Sequence, residues 1–245
     1  MNAYVVARRG GLLGPWTARV HSCAPSSLGL SSDDVDNGEV RAIVVVGASA
    51  GGVQALSSVF CDLPVNTPIV IFVALHLTSN AQSHLPWILA RTSRLPAERA
   101  IHNERFKSGK IYVAPPGFHT LIGKGILQLR HVPKRQHPQP GIDPMFHSVA
   151  RNYGQRVVGI LLSGMANDGV EGLKEIKRCG GLAIVQDPVE AEYPELPKNA
   201  LAAVNVDACL PAAKIREIVT QLPSSIPYAR QPRRPPECES DGPAV

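Results

Sequence analysis

The feature that most constrains the fold of this chain is a set of short, wholly apolar segments that alternate with helix-like patterns. Three of these segments are AIVVV at 42–46, PIVIFVAL at 68–75 and VVGILL at 157–162. A strand with one face in water alternates apolar and polar residues, whereas a strand covered on both faces of a parallel sheet is apolar throughout. The three segments therefore predict central strands of a parallel sheet.

Further strands and helices complete the pattern. We predict strands at 110–114 and 182–185, and helices at 53–60, 85–91, 170–178 and 214–221. Residues 119–122 and 126–130 flank Gly123-Lys124-Gly125 and predict an antiparallel hairpin. Asp143 is expected to be the N-cap of another helix, with Pro144 at its first position. The predicted fold class is α/β, a doubly wound and mainly parallel sheet with helices on both faces and a small antiparallel hairpin.

The two ends of the 245-residue chain differ from its middle. Residues 1–32 contain no Asp or Glu, and residues 222–245 contain six prolines. We expect a flexible tail at 1–40, one folded domain at 41–221 and a Pro-rich disordered tail at 222–245. No apolar run approaches the ~18–20 residues that span a bilayer. The five cysteines show no CxxC spacing, so we expect neither a zinc site nor a disulfide framework, and a cytoplasmic location.

Reactive side chains follow three of the predicted strands. Ligands of open parallel sheets bind beyond the carboxyl ends of the strands, where Ser49, His76 and Asp168 are placed by their order in the chain. Residues 47–51 (GASAG) have the G-x-S-x-G form of a nucleophile elbow, in which glycine permits a sharp strand-to-helix turn. A phosphate-binding turn or a plain strand–helix turn would also fit this segment.

A serine nucleophile needs a base, and His76 is the candidate by position. Asp168 could orient the imidazole, or it could simply cap the helix that follows it. Asp143 and Asp187 are rivals for the orienting role. The chain order Ser…His…Asp differs from the Ser…Asp…His order of α/β-hydrolases, so a triad here would belong to another topology.

The charge of the chain is unevenly distributed. Residues 91–135 hold ten Lys and Arg against two Glu, whereas residues 168–195 hold seven acidic residues against three basic ones. A basic region can steer an anionic partner towards a protein, and it can equally be an ordinary solvated surface.

Several segments together resemble one family. VVVGASAGGVQAL, VALHL, IYVAPPGFH, IDPMFHSVA and VGILLSGMANDGVEGL resemble, in this order over residues 42–206, the catalytic domain of chemoreceptor protein-glutamate methylesterases of the CheB type. The resemblance implies a serine hydrolase that demethylates glutamyl methyl esters on chemoreceptor cytoplasmic helices and can deamidate glutamines there. It implies Ser49 as nucleophile, His76 as base, Asp168 as orienting acid and the backbone N–H groups of Ala50 and Met165 as oxyanion donors. No metal or cofactor is implied.

Some positions depart from the family pattern. Ala50 replaces a frequent Thr, QPGID at 139–143 replaces R-P-S-x-D, LPKNA at 196–200 replaces M-P-x-x-A, and the usual proline after the histidine is missing at 77–79. These changes leave open a small-ester esterase or a binding module without turnover. The partners implied are methyl-accepting chemoreceptors with acidic helices; we expect no nucleic acid, no membrane insertion and no receiver domain within this chain.

Overall fold

A computed structural model describes residues 40–65, 67–76, 83–131 and 140–225. Its main sheet has seven strands, all paired in parallel. These strands are β1 (Ala42–Ala48), β2 (Ile69–Leu75), β3 (Ala97–Arg99), β4 (Lys110–Val113), β7 (Val157–Leu161), β8 (Leu182–Gln186) and β9 (Ala208–Leu210). A separate antiparallel pair is formed by β5 (Phe118–Ile122) and β6 (Leu127–His131).

Helices cover both faces of the sheet. They are α1 (Gly52–Phe60), α2 (Leu85–Thr92), α3 (Ile142–Tyr153), α4 (Val170–Arg178), α5 (Glu195–Ala203) and α6 (Ala212–Ser225). Because successive side chains of a strand point to opposite faces, Ile43 and Val45 of β1 pack against α3 and α4, while Val44 and Val46 pack against α1 and α6. Two apolar cores therefore lie on either side of one sheet, which confirms the predicted α/β class.

The predicted hairpin is confirmed, but three elements were missed, and the end of α6 and the start of α3 differ from the prediction. The missed elements are β3 and β9, which have three residues each, and α5. Helix α6 continues to Ser225, past the boundary predicted at residue 221, because Leu222 is buried in the core. Of the tails predicted at 1–40 and 222–245, residues 1–39 and 226–245 lie outside the described residues.

The prediction that Asp143 is an N-cap is wrong. Helix α3 begins at Ile142 and its N-cap is Gly141, so Asp143 lies inside the first turn. Its carboxylate accepts a hydrogen bond from the Gly172 amide of α4 at 2.6 Å. Asp143 thus joins two helices, a contact that local sequence patterns do not report.

The order of the strands fixes where a ligand can bind. From β1 the sheet extends through β2 to β4 and β3 on one side, and through β7 to β8 and β9 on the other. The crevice of a doubly wound sheet lies at this switch point, outside the carboxyl ends of the strands. We call the side of the sheet where the strands end the carboxyl edge. Among the helices of the described ranges, none combines the length and apolar character needed to cross a bilayer.

Candidate active site

Ser49 lies in a tight turn between β1 and α1 at the carboxyl edge. The Gly52 amide donates to the Ser49 carbonyl at 2.9 Å, which closes the turn. Gly51, the N-cap of α1, has φ 71°, in the left-handed region that favours glycine. A Cβ at Gly51 would also lie only 2.6 Å from the hydroxyl oxygen of Ser163. The turn that presents Ser49 therefore depends on glycine for both its conformation and its packing.

A buried serine that the sequence analysis missed holds this turn in place. Ser163 follows β7 and is 1% exposed. Its carbonyl accepts the Ser49 amide at 2.9 Å, and its hydroxyl donates to the Ala50 carbonyl at 2.8 Å. The same hydroxyl accepts the Tyr193 amide at 3.0 Å, and the Ser163 amide donates to Gln186 Oε1 at 2.9 Å. Ser163 links the Ser49 turn to the end of β8 and to the loop that contains Tyr193, and its position directly after an apolar strand was a signal in the sequence.

The structure brings His76 and Asp168 together. His76 Nε2 lies 2.6 Å from Asp168 Oδ2, and the two side chains are 11% and 15% exposed. An ionised carboxylate only accepts hydrogen bonds, so Nε2 is the donor in this contact, and in the neutral imidazole Nδ1 is then the acceptor. In the serine protease template it is Nδ1 that faces the aspartate, so the ring is oriented in the opposite sense here. Asp187, the other rival, instead accepts the Val189 amide within its own turn at 2.9 Å.

Asp168 also caps a helix, but not the one that follows it. Helix α4 has Gly169 as its N-cap and no side-chain capping bond. Instead, Asp168 Oδ2 accepts the Ile142 amide at 2.7 Å and Oδ1 accepts the Asp143 amide at 3.0 Å. These amides belong to the first turn of α3, where a negative charge is stabilised by the helix dipole. Asp168 therefore fixes the histidine and the start of α3 at once.

Asp168 and Asp143 are neighbouring carboxyl groups whose environments shift their pKa values in opposite directions. Burial opposes the ionisation of Asp168, but the hydrogen bonds from His76 and from the two amides of α3 outweigh it and hold the pKa of Asp168 below its ordinary value. Burial raises the pKa of Asp143, the Gly172 amide opposes that rise, and the nearby charge of Asp168 adds to it. Asp168 is thus the carboxyl group whose ionised form is favoured by its surroundings.

Ser49 and His76 share one opening at the carboxyl edge. A shallow cleft of about 390 Å³ is lined by Ser49, Gly51, Gly52, Val53, Gln54, Leu75, His76 and Glu192. Glu192 is exposed and places a negative charge at this opening. The cleft therefore combines a hydroxyl, an imidazole held by a carboxylate, and an acidic side chain.

Two backbone N–H groups next to the cleft are available to a ligand. Within the described residues, neither the Ala50 amide nor the Met165 amide donates a hydrogen bond to the chain. Met165 lies in the loop after β7 and is 63% exposed. This loop is held by the segment around α5, because Leu196 donates its amide to the Gly164 carbonyl and the Asn199 side chain donates to that of Asn167. The altered segment at 196–200 thus packs against the loop that carries Met165.

Other histidines have structural partners. His119 Nδ1 accepts the Gly141 amide at 3.0 Å, and His102 Nδ1 accepts the Leu129 amide at 3.0 Å. In the part of the chain that the structure describes, no group of three or more His, Cys, Asp or Glu side chains is placed to hold a metal ion. Among the described residues, none of Cys61, Cys179 and Cys209 forms a disulfide. Two of the segments that depart from the family pattern extend outside the described residues: 77–79 lies outside them completely, and 139–143 lies outside them at residue 139.

Comparisons with known proteins agree on one family. A family model described as CheB methylesterase matches residues 44–219. A putative protein-glutamate methylesterase/protein-glutamine glutaminase of Leptospira interrogans is 36% identical over 180 residues, which are 73% of this chain and 93% of that protein. A relative of the same kind from Anaeromyxobacter dehalogenans is also 36% identical, but only 53% of its length is covered. The crystal structure of the Thermotoga maritima CheB methylesterase catalytic domain matches with a TM-score of 0.70 and 31% identity, over 74% of this chain and 98% of that one.

Proposed function

Since this chain belongs to the CheB methylesterase family, we propose that it hydrolyses glutamyl methyl esters on chemoreceptor helices with Ser49 as nucleophile, His76 as base and Asp168 as orienting acid. The observation that supports this most directly is the 2.6 Å contact between His76 Nε2 and Asp168, beside a cleft that His76 shares with Ser49. The names of the relatives support the reaction class and add the deamidation of glutamine side chains.

The proposed reaction has two steps. Ser49 Oγ attacks the ester carbonyl carbon while His76 Nδ1 takes the hydroxyl proton, since Nε2 is already committed to Asp168. The bond to methoxide breaks, and methoxide takes the proton from His76 and leaves as methanol. Water then gives a proton to His76 Nδ1 as its oxygen attacks the acyl carbon. The bond from that carbon to Ser49 Oγ breaks, Ser49 Oγ takes the proton back from His76, and the glutamic acid that is released loses its own proton to solvent. The negative charge of Asp168 stabilises the imidazolium that forms in each step.

The tetrahedral oxyanion needs hydrogen-bond donors. The N–H groups of Ala50 and Met165 are suited to this role because each lacks a partner within the described residues and each lies in a loop at the carboxyl edge. The first turn of α1 adds positive potential at the same place. One such donor contributes about 10²–10³ in turnover in serine proteases.

The negative charge of Glu192 at the cleft favours binding of an uncharged substrate over a carboxylate. A methyl ester or an amide is neutral, whereas the product is a carboxylate that would meet the negative charge of Glu192 at the opening of the cleft. Like-charge repulsion of this kind disfavours rebinding of the product. The proposed site of action is the cytoplasm, where the methylated helices of chemoreceptors lie.

The experiment that tests the proposal measures methanol release from a methylated chemoreceptor. The unmutated chain should release methanol, Ser49→Ala should not, and Ser58→Ala should match the unmutated chain because Ser58 is an exposed serine further along α1. A fluorophosphonate probe should label the unmutated chain and Ser58→Ala but not Ser49→Ala. Absence of methanol release by the unmutated chain would refute the enzyme proposal and favour a binding module. Turnover of small esters alone would favour the small-ester esterase.

A further inference from the structure

We propose that an exposed surface beside the active-site cleft docks an acidic helix of the methylated protein substrate. The surface consists of His84, Trp87 and Arg91 on α2 together with Arg99 and Ile101 at the end of β3, and we call it the α2–β3 surface. The inference depends on the proposed function for the identity of its partner, and it adds where that partner is held and by what chemistry.

The α2–β3 surface lies on the same edge of the sheet as Ser49 and His76. The chain leaves β2 at the carboxyl edge and returns as α2, so α2 begins at this edge and Trp87 is in its first turn. Arg99 is the last residue of β3, which is parallel to the other strands. Arg99 Nη2 donates to the Ser83 carbonyl at 3.0 Å and so joins the end of β3 to the start of α2.

Two large apolar side chains are exposed on this surface. Trp87 is 61% exposed and Ile101 is 62% exposed. The Arg91 guanidinium lies over the Trp87 ring, 4.8 Å from its centroid. This contact directs the charge of Arg91 towards the N-terminus of α2, that is, towards the carboxyl edge. Tryptophan and arginine are the residues most often responsible for binding energy at protein interfaces.

The charge of the surface selects an acidic partner. Residues 83–97 include no Asp or Glu. Glu98 is the only acidic residue between 83 and 103. Its Oε2 lies 2.8 Å from Lys110 Nζ, so its negative charge is paired with the positive charge of Lys110. Arg91 and Arg99 therefore face solvent-accessible space beside the cleft with no acidic residue of the same segment opposing them. An acidic helix with apolar residues on one face complements both the arginines and the exposed Trp87 and Ile101.

Other cations of the basic 91–135 segment lie on the opposite edge. Arg94, Lys107 and Lys110 line a cleft of about 530 Å³ at the starts of β2, β3 and β4. Arg94 lies 3.6 Å from Asp62, and Lys110 is paired with Glu98. The segment that the sequence presents as one basic region is thus divided between the two edges of the sheet. The α2–β3 part of it lies on the edge of the sheet that carries Ser49.

The strand order gives a distance for the docked helix. Ser49 follows β1 and Arg99 ends β3, and β2 and β4 separate them. At about 4.8 Å between neighbouring strands this is about 14 Å along the sheet. A helix rises 1.5 Å per residue, so the acidic residues that contact Arg99 should lie roughly nine positions from the esterified glutamate.

The test separates docking from chemistry by using two substrates. Trp87→Ala and Arg91→Glu are expected to lower kcat/KM for a methylated chemoreceptor cytoplasmic fragment about tenfold or more, and to leave p-nitrophenyl acetate hydrolysis within about twofold. Arg91→Glu should also weaken the salt dependence of the receptor reaction. The matched control is Lys107→Glu, a charge reversal of an exposed residue on the opposite edge, which should change neither reaction.

A direct binding measurement distinguishes docking at the α2–β3 surface from the proposed hydrolysis. Affinity for the receptor fragment is measured on the Ser49→Ala background, with and without Trp87→Ala, so that docking is tested even if the chain has no turnover. A loss of about tenfold in affinity supports docking at the α2–β3 surface. Unchanged affinity and unchanged receptor kcat/KM in both variants would overturn it while leaving the proposed reaction standing. A change from dimer to monomer in Trp87→Ala, measured by sedimentation, would identify the surface as a contact between copies of this chain and overturn docking.

Discussion

Replacing Asp168 by asparagine should separate the two roles that the structure assigns to one carboxylate. Asp168 accepts hydrogen bonds from His76 Nε2, from the Ile142 amide and from the Asp143 amide. An asparagine of the same shape has one accepting oxygen and one NH₂ group. With NH₂ at the Oδ2 position, His76 Nε2 must become the acceptor, and the proton moves to Nδ1, which can then no longer take the Ser49 proton. With NH₂ at the Oδ1 position, the Asp143 amide faces a second donor.

Both arrangements also remove the negative charge from the imidazole and from the start of α3. The corresponding change in a serine protease lowers kcat about 10⁴-fold. We therefore expect Asp168→Asn to lose about 10³–10⁴ in kcat. Loss of a charge-assisted hydrogen bond, about 1.5–3 kcal/mol, together with the favourable helix-dipole interaction, about 0.3–1 kcal/mol, should lower the free energy of unfolding by about 2–4 kcal/mol.

The pH dependence of stability should change in a defined direction. Because the pKa of Asp168 is lowered in the folded protein, its ionised form contributes stability above the unfolded value of about 3.9. That contribution is lost as the pH falls through the lower, folded pKa. The difference in free energy of unfolding between the unmutated chain and Asp168→Asn should therefore be constant near neutral pH and shrink in acid.

The assays are methanol release and urea unfolding, with Asp207→Asn as the matched control. Asp207 is also a partly buried carboxylate that accepts a backbone amide, from Ala183 at 2.7 Å, and a cationic partner, Lys177 at 2.8 Å. It precedes β9, at the edge of the sheet away from Ser49. Asp207→Asn should lose stability and keep its kcat. A kcat for Asp168→Asn within tenfold of the unmutated chain, or equal inactivation by Asp207→Asn, would refute this reasoning.

Three further predictions test the surroundings of the site. Ser163→Ala removes the bond to the Ala50 carbonyl and leaves the Tyr193 amide unpaired, so kcat should fall about tenfold or more and stability by about 1–3 kcal/mol, whereas Ser163→Thr should recover part of the kcat. Gly51→Ala should impair folding, as shown by a lower urea midpoint, because φ is 71° and the added Cβ would meet Ser163; an unchanged midpoint would contradict this. Arginine contacts lower the pKa of Glu175 to about 2, so the stability lost in Glu175→Gln should be constant above pH ~5 and decline as the pH falls through ~2. A difference that is as large near pH ~2 as at neutral pH would contradict this account.

The central strands were predictable from their runs of apolar residues, whereas the two outermost strands, β3 and β9, were not. Strands β1, β2 and β7 are buried on both faces, so their residues are uniformly apolar and the pattern is visible without a partner. Strand β3 has the sequence Ala-Glu-Arg and is partly exposed, so only its pairing with β4 makes it a strand. The same applies to β9, which pairs with β8.

By itself, the sequence determined which residue types follow the central strands and therefore that Ser49, His76 and Asp168 end up at one edge of the sheet. A glycine-bounded serine after an apolar strand and an aspartate in a glycine-rich loop are local signals. Because the strands are parallel, the residues that follow them lie at the same edge of the sheet. Only the tertiary structure decided which aspartate meets His76, which nitrogen of the ring stays free, and that Asp168 caps α3 rather than α4. It also decided that Ser163 holds the Ser49 turn and that the basic segment is split between two edges. These outcomes depend on hydrogen bonds and packing between segments up to about a hundred residues apart, which no local pattern encodes.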